Sequence, residues 1–233
     1  MENYLNKFYD DKVGQEVKQE GWLGWLYHKL QKFEKHRSAR VIELVSNEQY
    51  NSIIDIGCNR GNLLRRLKKK VNPEKISGID ISDVAIKDIK SVFTDIPENF
   101  SVHNIDTKTP FLDNSFDLVT MVAVLEHVFD PIVVIKEVHR IMKKDGVFIV
   151  EVPNIAFIKY RINLFFGKRP RTSWGYGWDG GHLQYFTRKD LVKFLEKTDF
   201  EIVKKTGSGI FYNIRKWWGS LLLPNIIIKA KKK

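Results

Sequence analysis

From residue 51 onward, short apolar runs alternate with segments whose apolar residues return at helical spacing. The runs are Ser52–Ile56, Lys75–Asp80, residues 100–105, Phe116–Val122 and residues 146–152. Each is of strand length and rich in β-branched or aromatic residues, which suit a buried pleated surface. Residues 200–204 and 225–230 repeat the pattern. Between the runs, residues 62–70 put Leu63, Leu64 and Leu67 on one helix face. Residues 83–91 follow Ser82, whose hydroxyl can accept an orphan N–H of the first turn, and place Asp83 near the positive end of the helix dipole. Pro131, held at a helical φ, opens a helix over 132–143 that Gly146 follows, and Thr187 caps residues 188–198. This alternation predicts an α/β fold: a doubly wound, mostly parallel seven-stranded sheet with helices on both faces.

Two regions depart from the rhythm. Residues 1–50 read as a helical N-terminal extension, with Trp22, Leu23, Trp25, Leu26, Leu30 and Phe33 near helical spacing, ahead of a main domain over 51–233. Residues 154–187, after the fifth strand, form an aromatic, basic and glycine-rich insert whose last part runs from Trp174 to His182. A connection that long is a lid or a binding element.

In an open parallel sheet, ligands sit outside the carboxyl ends of the strands. Three such ends carry the residues a nucleoside ligand needs. The first strand ends in Asp55-Ile56-Gly57 and turns through Cys58, Asn59 and Gly61 into a helix. Glycine lets the backbone approach a ligand closely, and the N–H groups of a helix start can bind an oxygen-rich group. The three-glycine pattern of a dinucleotide cradle is absent, so the turn suits a smaller amino-acid carboxylate better than a pyrophosphate. Asp80 ends the second strand, where a carboxylate can accept both hydroxyls of a ribose. Asp106 follows the third and could accept from an adenine amino group. One such feature alone is weak evidence, but three at successive strand ends indicate a nucleoside site.

With these motifs in place, the chain resembles a class I, seven-stranded, Rossmann-like S-adenosylmethionine-dependent methyltransferase. The matching text is residues 53–61, Gly78-Ile79-Asp80-Ile81-Ser82, Asp106, residues 110–119, Val124-Leu125-Glu126-His127-Val128 after the fourth strand, residues 137–146, Val152-Pro153-Asn154 and residues 181–187. The match covers roughly residues 50 to 205. The resemblance implies S-adenosyl-L-methionine as cofactor, with Asp55, Gly57 and Gly61 at its methionine part, Asp80 at the ribose and Asp106 at the adenine. Cys58, Ile81 and Val122 complete the implied cofactor set. Asn59 stands where the family usually has glycine, and asparagine tolerates a left-handed backbone better than most residues.

Methyl transfer from a sulfonium is an in-line displacement with a good leaving group already present. The protein mainly positions the acceptor and excludes water, and a general base helps when the acceptor is a hydroxyl. His127, at the rim of the fourth strand, and His182, at the end of the insert, are the candidate catalytic residues, with Glu126 as an orienting group. Their structural alternatives are bracing the next helix, for Glu126 and His127, and pinning the lid, for His182. Some ubiquinone-pathway O-methyltransferases and small-RNA 2′-O-methyltransferases carry Glu-x-x-Glu-His at this point and bind a divalent ion there. Here Ala123 replaces the first glutamate. One carboxylate and one histidine under-coordinate such an ion, so no metal is expected.

A formal net charge of +11 admits nucleic acid, an anionic membrane or an acidic substrate. The lysines are scattered through Lys68-Lys69-Lys70, Lys143-Lys144, Lys204-Lys205 and residues 231–233 rather than striped with aromatics. Solvated surface fits that pattern better than a nucleic-acid partner does. Cations do adjoin aromatics over residues 164–169 and in Arg215-Lys216-Trp217-Trp218, which suits peripheral contact with an anionic membrane or stacking on a sugar. The expected function is O-methylation of a small molecule or glycan, such as a lipid- or nucleotide-linked sugar. The alternatives are RNA 2′-O-methylation and cofactor binding without catalysis. Cys58 as the single cysteine excludes an internal disulfide. The polar start does not read as a signal peptide, and no run reaches the roughly 18–20 apolar residues of a spanning helix, so a cytoplasmic location is expected.

Overall fold

The computed structural model describes residue 10 and residues 34–173, 178–210 and 212–233. The periodic stretch from Trp22 to Phe33 and residues 174–177 of the insert lie outside the described residues. Eight strands are described: β1 (Glu34–Lys35), β2 (Ser52–Ile56), β3 (Lys75–Asp80), β4 (Phe100–Val102), β5 (Phe116–Val122), β6 (Met142–Pro153), β7 (Phe200–Ile210) and β8 (Asn225–Lys232). The main helices are α1 (Arg37–Val45), α2 (Asn62–Val71), α3 (Asp83–Val92), α4 (Pro131–Ile141), α5 (Ile158–Phe165) and α6 (Arg188–Lys197). None of the described helices is long and apolar enough to cross a membrane.

The strands form one sheet in the order β1-β7-β8-β6-β5-β2-β3-β4. Pairing is parallel from β6 through β5, β2 and β3 to β4. β8 is antiparallel to both β6 and β7. The seven expected strands are therefore joined by a two-residue eighth, β1, which comes from the segment read as helical and pairs with the edge of β7. The strand order reverses at β2, with β3 on one side and β5 on the other. A crevice opens outside the carboxyl ends of strands at such a switch point.

Alternation along the strands explains the two layers of core. Ile54, Ile56, Val119, Met121, Phe148 and Val150 face α4 and α6. Ile53, Leu118, Val147 and Ile149 point the other way, toward α1, α2 and α3. Ile53 and Ile54 are both 0% exposed, and burial on that scale contributes about 1.5–3 kcal/mol per side chain.

The caps are those expected. Ser82 Oγ accepts from Ala85 N at 3.1 Å and Thr187 Oγ1 from Asp190 N at 3.2 Å. Asp130, ahead of Pro131, adds a third cap by accepting from Ile132 N at 2.8 Å. α4 stops at Ile141, short of the expected end, because Met142 already pairs with Phe116 and begins β6. β7 continues through Gly207 and Gly209, a stretch that looks like a loop. Its glycine at 207 serves close approach: a Cβ there would lie 2.2 Å from the Asn225 carbonyl oxygen on β8.

Candidate active site

The turn after β2 is built on left-handed backbone, with φ of 73° at Gly57 and 44° at Asn59. Gly57 N and Cys58 N both donate to the Ile79 carbonyl, at 2.8 and 3.0 Å, which folds the turn over the end of β3. A Cβ on Gly57 would lie 2.2 Å from Val124 Cγ2. The backbone is thus bare where the ends of β2 and β5 meet. Gly61 is the N-cap of α2, and Cys58 is a buried thiol packed behind the turn.

Asp80 sits at the end of β3. Its Oδ2 accepts from Asn59 N at 2.8 Å and its Oδ1 from Ser82 N at 2.9 Å. Each carboxylate oxygen can accept more than one hydrogen bond, so this anchoring leaves capacity for ligand hydroxyls. Burial, partly offset by those backbone N–H groups, pushes its pKa above the usual aspartate value. Asp10, from the N-terminal extension, accepts from Ser82 Oγ at 2.5 Å and stands at the same rim. Asp106, beyond β4, accepts from Phe129 N at 2.9 Å. The Phe129 side chain is itself exposed.

These elements enclose a cavity of about 440 Å³, within the range of small-molecule sites. Of the expected residues, Gly57, Asp80, Ile81, Asp106, Val122 and His127 line it, while Asp55, Cys58, Gly61, Glu126 and His182 do not. Arg37, His103 and Ser173 also line it and were not anticipated. Arg37 opens α1 in the segment taken for an extension, and no local signal ties it to a ligand.

Asp55 supports the turn from behind. It is 3% exposed and accepts from Thr120 Oγ1 at 2.6 Å. Burial, opposed by that hydrogen bond and helped by the charge of Asp80, pushes its pKa up to about 8. A folded-state pKa above the unfolded value means that the stability tied to Asp55 is complete below the ordinary aspartate range and falls as pH rises through about 8. Asp55→Asn is therefore expected to shrink the fall in Tm between about pH 6 and pH 9. If thermal melts of this variant fall as far as the wild type does, another group carries the titration.

The insert folds back onto the residues after β5. Leu183 N and Gln184 N donate to the Glu126 carbonyl at 2.8 and 2.9 Å, and Gln184 Nε2 donates to the Phe129 carbonyl at 3.2 Å. His127 Nδ1 bonds the Gly181 carbonyl at 3.0 Å. The His127 and His182 rings meet edge to face with centroids 4.7 Å apart. Asp179 organises the loop around them. It is 0% exposed and accepts from Thr172 N at 2.7 Å, Ser173 N at 3.0 Å, Thr172 Oγ1 at 2.8 Å and Tyr185 Oη at 3.1 Å. Burial acts to raise its pKa, but these donors outweigh it and hold the carboxyl below the usual value.

Glu126 is 1% exposed, and both its carboxylate oxygens lack a hydrogen-bond partner. Burial and the nearby Glu151 push its pKa up to about 8. Glu151, at the end of β6, is likewise buried, with Arg37 Nη1 at 3.6 Å as an ion-pair partner. One ligand atom from each of Glu126, His127 and His182 lies within 4.8 Å of the other two.

A family model described as a methyltransferase domain matches residues 28–205. A demethylmenaquinone methyltransferase of Staphylococcus aureus is 29% identical over 140 residues, a stretch that is 58% of this chain and 58% of that protein. The chain thus spans less than two thirds of the length of the curated relatives it matches. Among solved structures, a methyltransferase of Methanosarcina mazei aligns with TM-score 0.58 at 24% identity, covering 82% of this chain and 96% of that one. One of Thermotoga maritima aligns with TM-score 0.62 at 16% identity over the full length of both chains. At such identities these structures speak to the fold alone.

Proposed function

The chain belongs to the methyltransferase-domain family, and from that premise we propose that it transfers a methyl group from S-adenosylmethionine to a hydroxyl of a small-molecule or glycan acceptor. When bound, the cofactor supplies a methyl carbon on a sulfonium, whose departure as a neutral thioether needs no acid. The residues of the crevice fit it. The bare backbone at Gly57, where a Cβ would collide with Val124, leaves room for the methionine part. Asp80 keeps acceptor capacity for the two ribose hydroxyls. Asp106 and the Phe129 ring offer an acceptor and an apolar face for the adenine. Ile81 and Val122 supply apolar walls. Asp55, Cys58 and Gly61 act on the cofactor indirectly, by holding the turn.

The observation that carries the hydroxyl reading is His127. It is the titratable base of the Glu126–His127–His182 cluster that lies on the cavity wall, and its ring is fixed by the Gly181 carbonyl. His127 would take the proton of the acceptor hydroxyl, and bound S-adenosylmethionine would supply the methyl carbon that the freed oxygen attacks, the electron pair of the broken C–S bond staying on sulfur. The lid, fastened by Leu183 and Gln184, keeps water from competing. Exposed apolar side chains near the insert and the C-terminal region, Phe165 at 84% and Trp217 at 89% among them, favour an acceptor with a lipid part at a membrane surface.

The test is a transfer screen with methyl-labelled cofactor against sugars, lipid-linked glycans, phenols, amines and RNA. Label on a hydroxyl of a small molecule or glycan supports the reading. Label confined to amines or to RNA sinks the hydroxyl assignment, and failure to bind the cofactor at all sinks the whole.

A further inference from the structure

The segment after β6 and the connection between β7 and β8 each leave large apolar side chains in solvent. α5 has no buried residue. Its second half exposes Ile162, Leu164 and Phe165, and Phe166 follows, also exposed. The rings of Phe165 and Phe166 meet edge to face with centroids 5.2 Å apart. Between β7 and β8, Trp217 and Trp218 are exposed as well. One buried residue, Asn154, joins the two groups directly after β6. Its Nδ2 donates to the carbonyls of Ser220 at 3.0 Å and Leu223 at 2.9 Å, while its Oδ1 accepts from Ala156 N at 3.1 Å. Ser220 closely follows Trp218 in the chain. α5 starts at Ile158 and has eight residues, which makes it about 12 Å long. Both apolar groups therefore lie near the carboxyl end of β6, the end of the sheet at which the cavity opens. The same segments carry charge of one sign. Between Glu151 and Asp179 the chain has Lys159, Arg161, Lys168, Arg169 and Arg171 and no acidic residue, and no acidic residue follows Glu201. Lys159, Arg161, Lys168, Arg171 and Lys216 are exposed.

We propose that Phe165, Phe166, Trp217 and Trp218 form a docking face for an anionic lipid bilayer, with the neighbouring lysines and arginines on its phosphate groups. Single exposed apolar residues are ordinary, but large aromatic side chains gathered at one end of a sheet mark an interaction surface. Charge selects the occupant. The core of a protein–protein interface is depleted in charged residues, lysine among them, whereas here cations flank the rings and acids are missing. Tryptophan settles at the depth of lipid headgroups, where its ring meets acyl chain and its N–H meets water. Lysine and arginine lay their stems along the apolar layer and reach the phosphates with their heads. Each cation held near an anionic surface contributes about fivefold in affinity. The face is also tied to the cavity. The chain runs from Phe166 to Ser173, which lines the cavity wall. Ser173 N donates to Asp179 at 3.0 Å, and Arg169 Nη1 lies 3.9 Å from the same carboxylate. An acceptor whose apolar tail stays in the bilayer can then present its head to the cavity, a step that rests on the methyl-transfer reading above.

The full chain is sedimented with vesicles of phosphatidylcholine alone and of phosphatidylcholine mixed with phosphatidylglycerol, at low and at high salt. Binding to the mixed vesicles is expected to be roughly tenfold or more tighter than to the neutral ones and to weaken as salt rises. Phe165→Ser with Phe166→Ser, and separately Trp217→Ser with Trp218→Ser, are each expected to weaken it by roughly tenfold or more. Tm and S-adenosylmethionine affinity stay near wild type in both double variants, because the rings are exposed. Either double variant keeps the test decisive if the other unfolds. Binding to neither kind of vesicle, equal binding to both, or equal binding by the wild type and the folded double variants overturns the proposal. So does a dimer in solution that the same substitutions dissociate, which would assign the face to a second copy of the chain. A chain that binds the cofactor but no vesicle removes the docking face alone. A chain that docks but binds no cofactor keeps the face and removes the methyl-transfer reading.

Discussion

Asp80→Ala is expected to weaken S-adenosylmethionine binding by roughly 100-fold or more in calorimetric titration. Hydrogen bonds to a charged acceptor contribute about 1.5–3 kcal/mol each, and 1.4 kcal/mol is a factor of ten, so losing both ribose hydroxyls at the lower figure already reaches that size. Asp80 also holds Asn59 N and Ser82 N, so part of the loss comes from a loosened turn. Asp80→Asn separates the two contributions. It keeps the shape and one good acceptor but lacks the charge, and should fall between wild type and Asp80→Ala. An Asp80→Ala chain that melts like wild type and binds the cofactor equally well would remove Asp80 from the ribose site.

His127→Ala should lower kcat by roughly 10²–10⁴-fold, the range typical of losing a group that handles a proton in the transition state. Cofactor affinity should stay within about twofold, because His127 is assigned to the acceptor proton and not to a cofactor contact. That split between turnover and cofactor binding distinguishes chemistry from scaffolding. If the ring merely pins the lid through Gly181, lid opening rises, cofactor affinity falls with turnover, and a glutamine able to donate to the same carbonyl restores both. Turnover within threefold of wild type, once an acceptor is in hand, would rule out both roles.

The crevice at the strand ends was legible in the sequence because it is local. Asp55, Gly57, Asn59 and Gly61 fall within one turn, and Asp80 and Asp106 each end a strand that its own hydrophobic run marks out. The sheet assigned three jobs that spacing could not. It placed Asp55, Cys58 and Gly61 in support of the cavity wall rather than on its lining. It brought Arg37 from ahead of β2 into that lining. It also set His182 edge to face with His127 across a long insert, a meeting that depends on backbone bonds at Glu126 and leaves no periodic trace. Misread boundaries have equally local causes. Lys143-Lys144-Asp145 looks like the end of a helix and the start of a turn, yet Met142 is already in the sheet. Gly207 and Gly209 look like a loop, yet their small size is what lets β7 lie against its neighbours.

The position of β8 has a consequence for biosynthesis. This strand, residues 225–232, is the last described in chain order, yet it lies in the interior of the sheet between β6 and β7. While the ribosome still holds residues 225–232 in its exit tunnel, β7 and its β1 partner have nothing to pair with on their inner side. The five parallel strands can assemble on the emerging chain, but the sheet cannot close until translation has passed residue 232. Over that interval β6 presents an open, apolar edge, and edges of that kind recruit other chains. Aggregation during expression should therefore depend on how quickly residues 225–232 emerge after β7. Slow codons between β7 and β8 would extend the hazard, and a well-folded preparation would gain from a chaperone that shelters that edge.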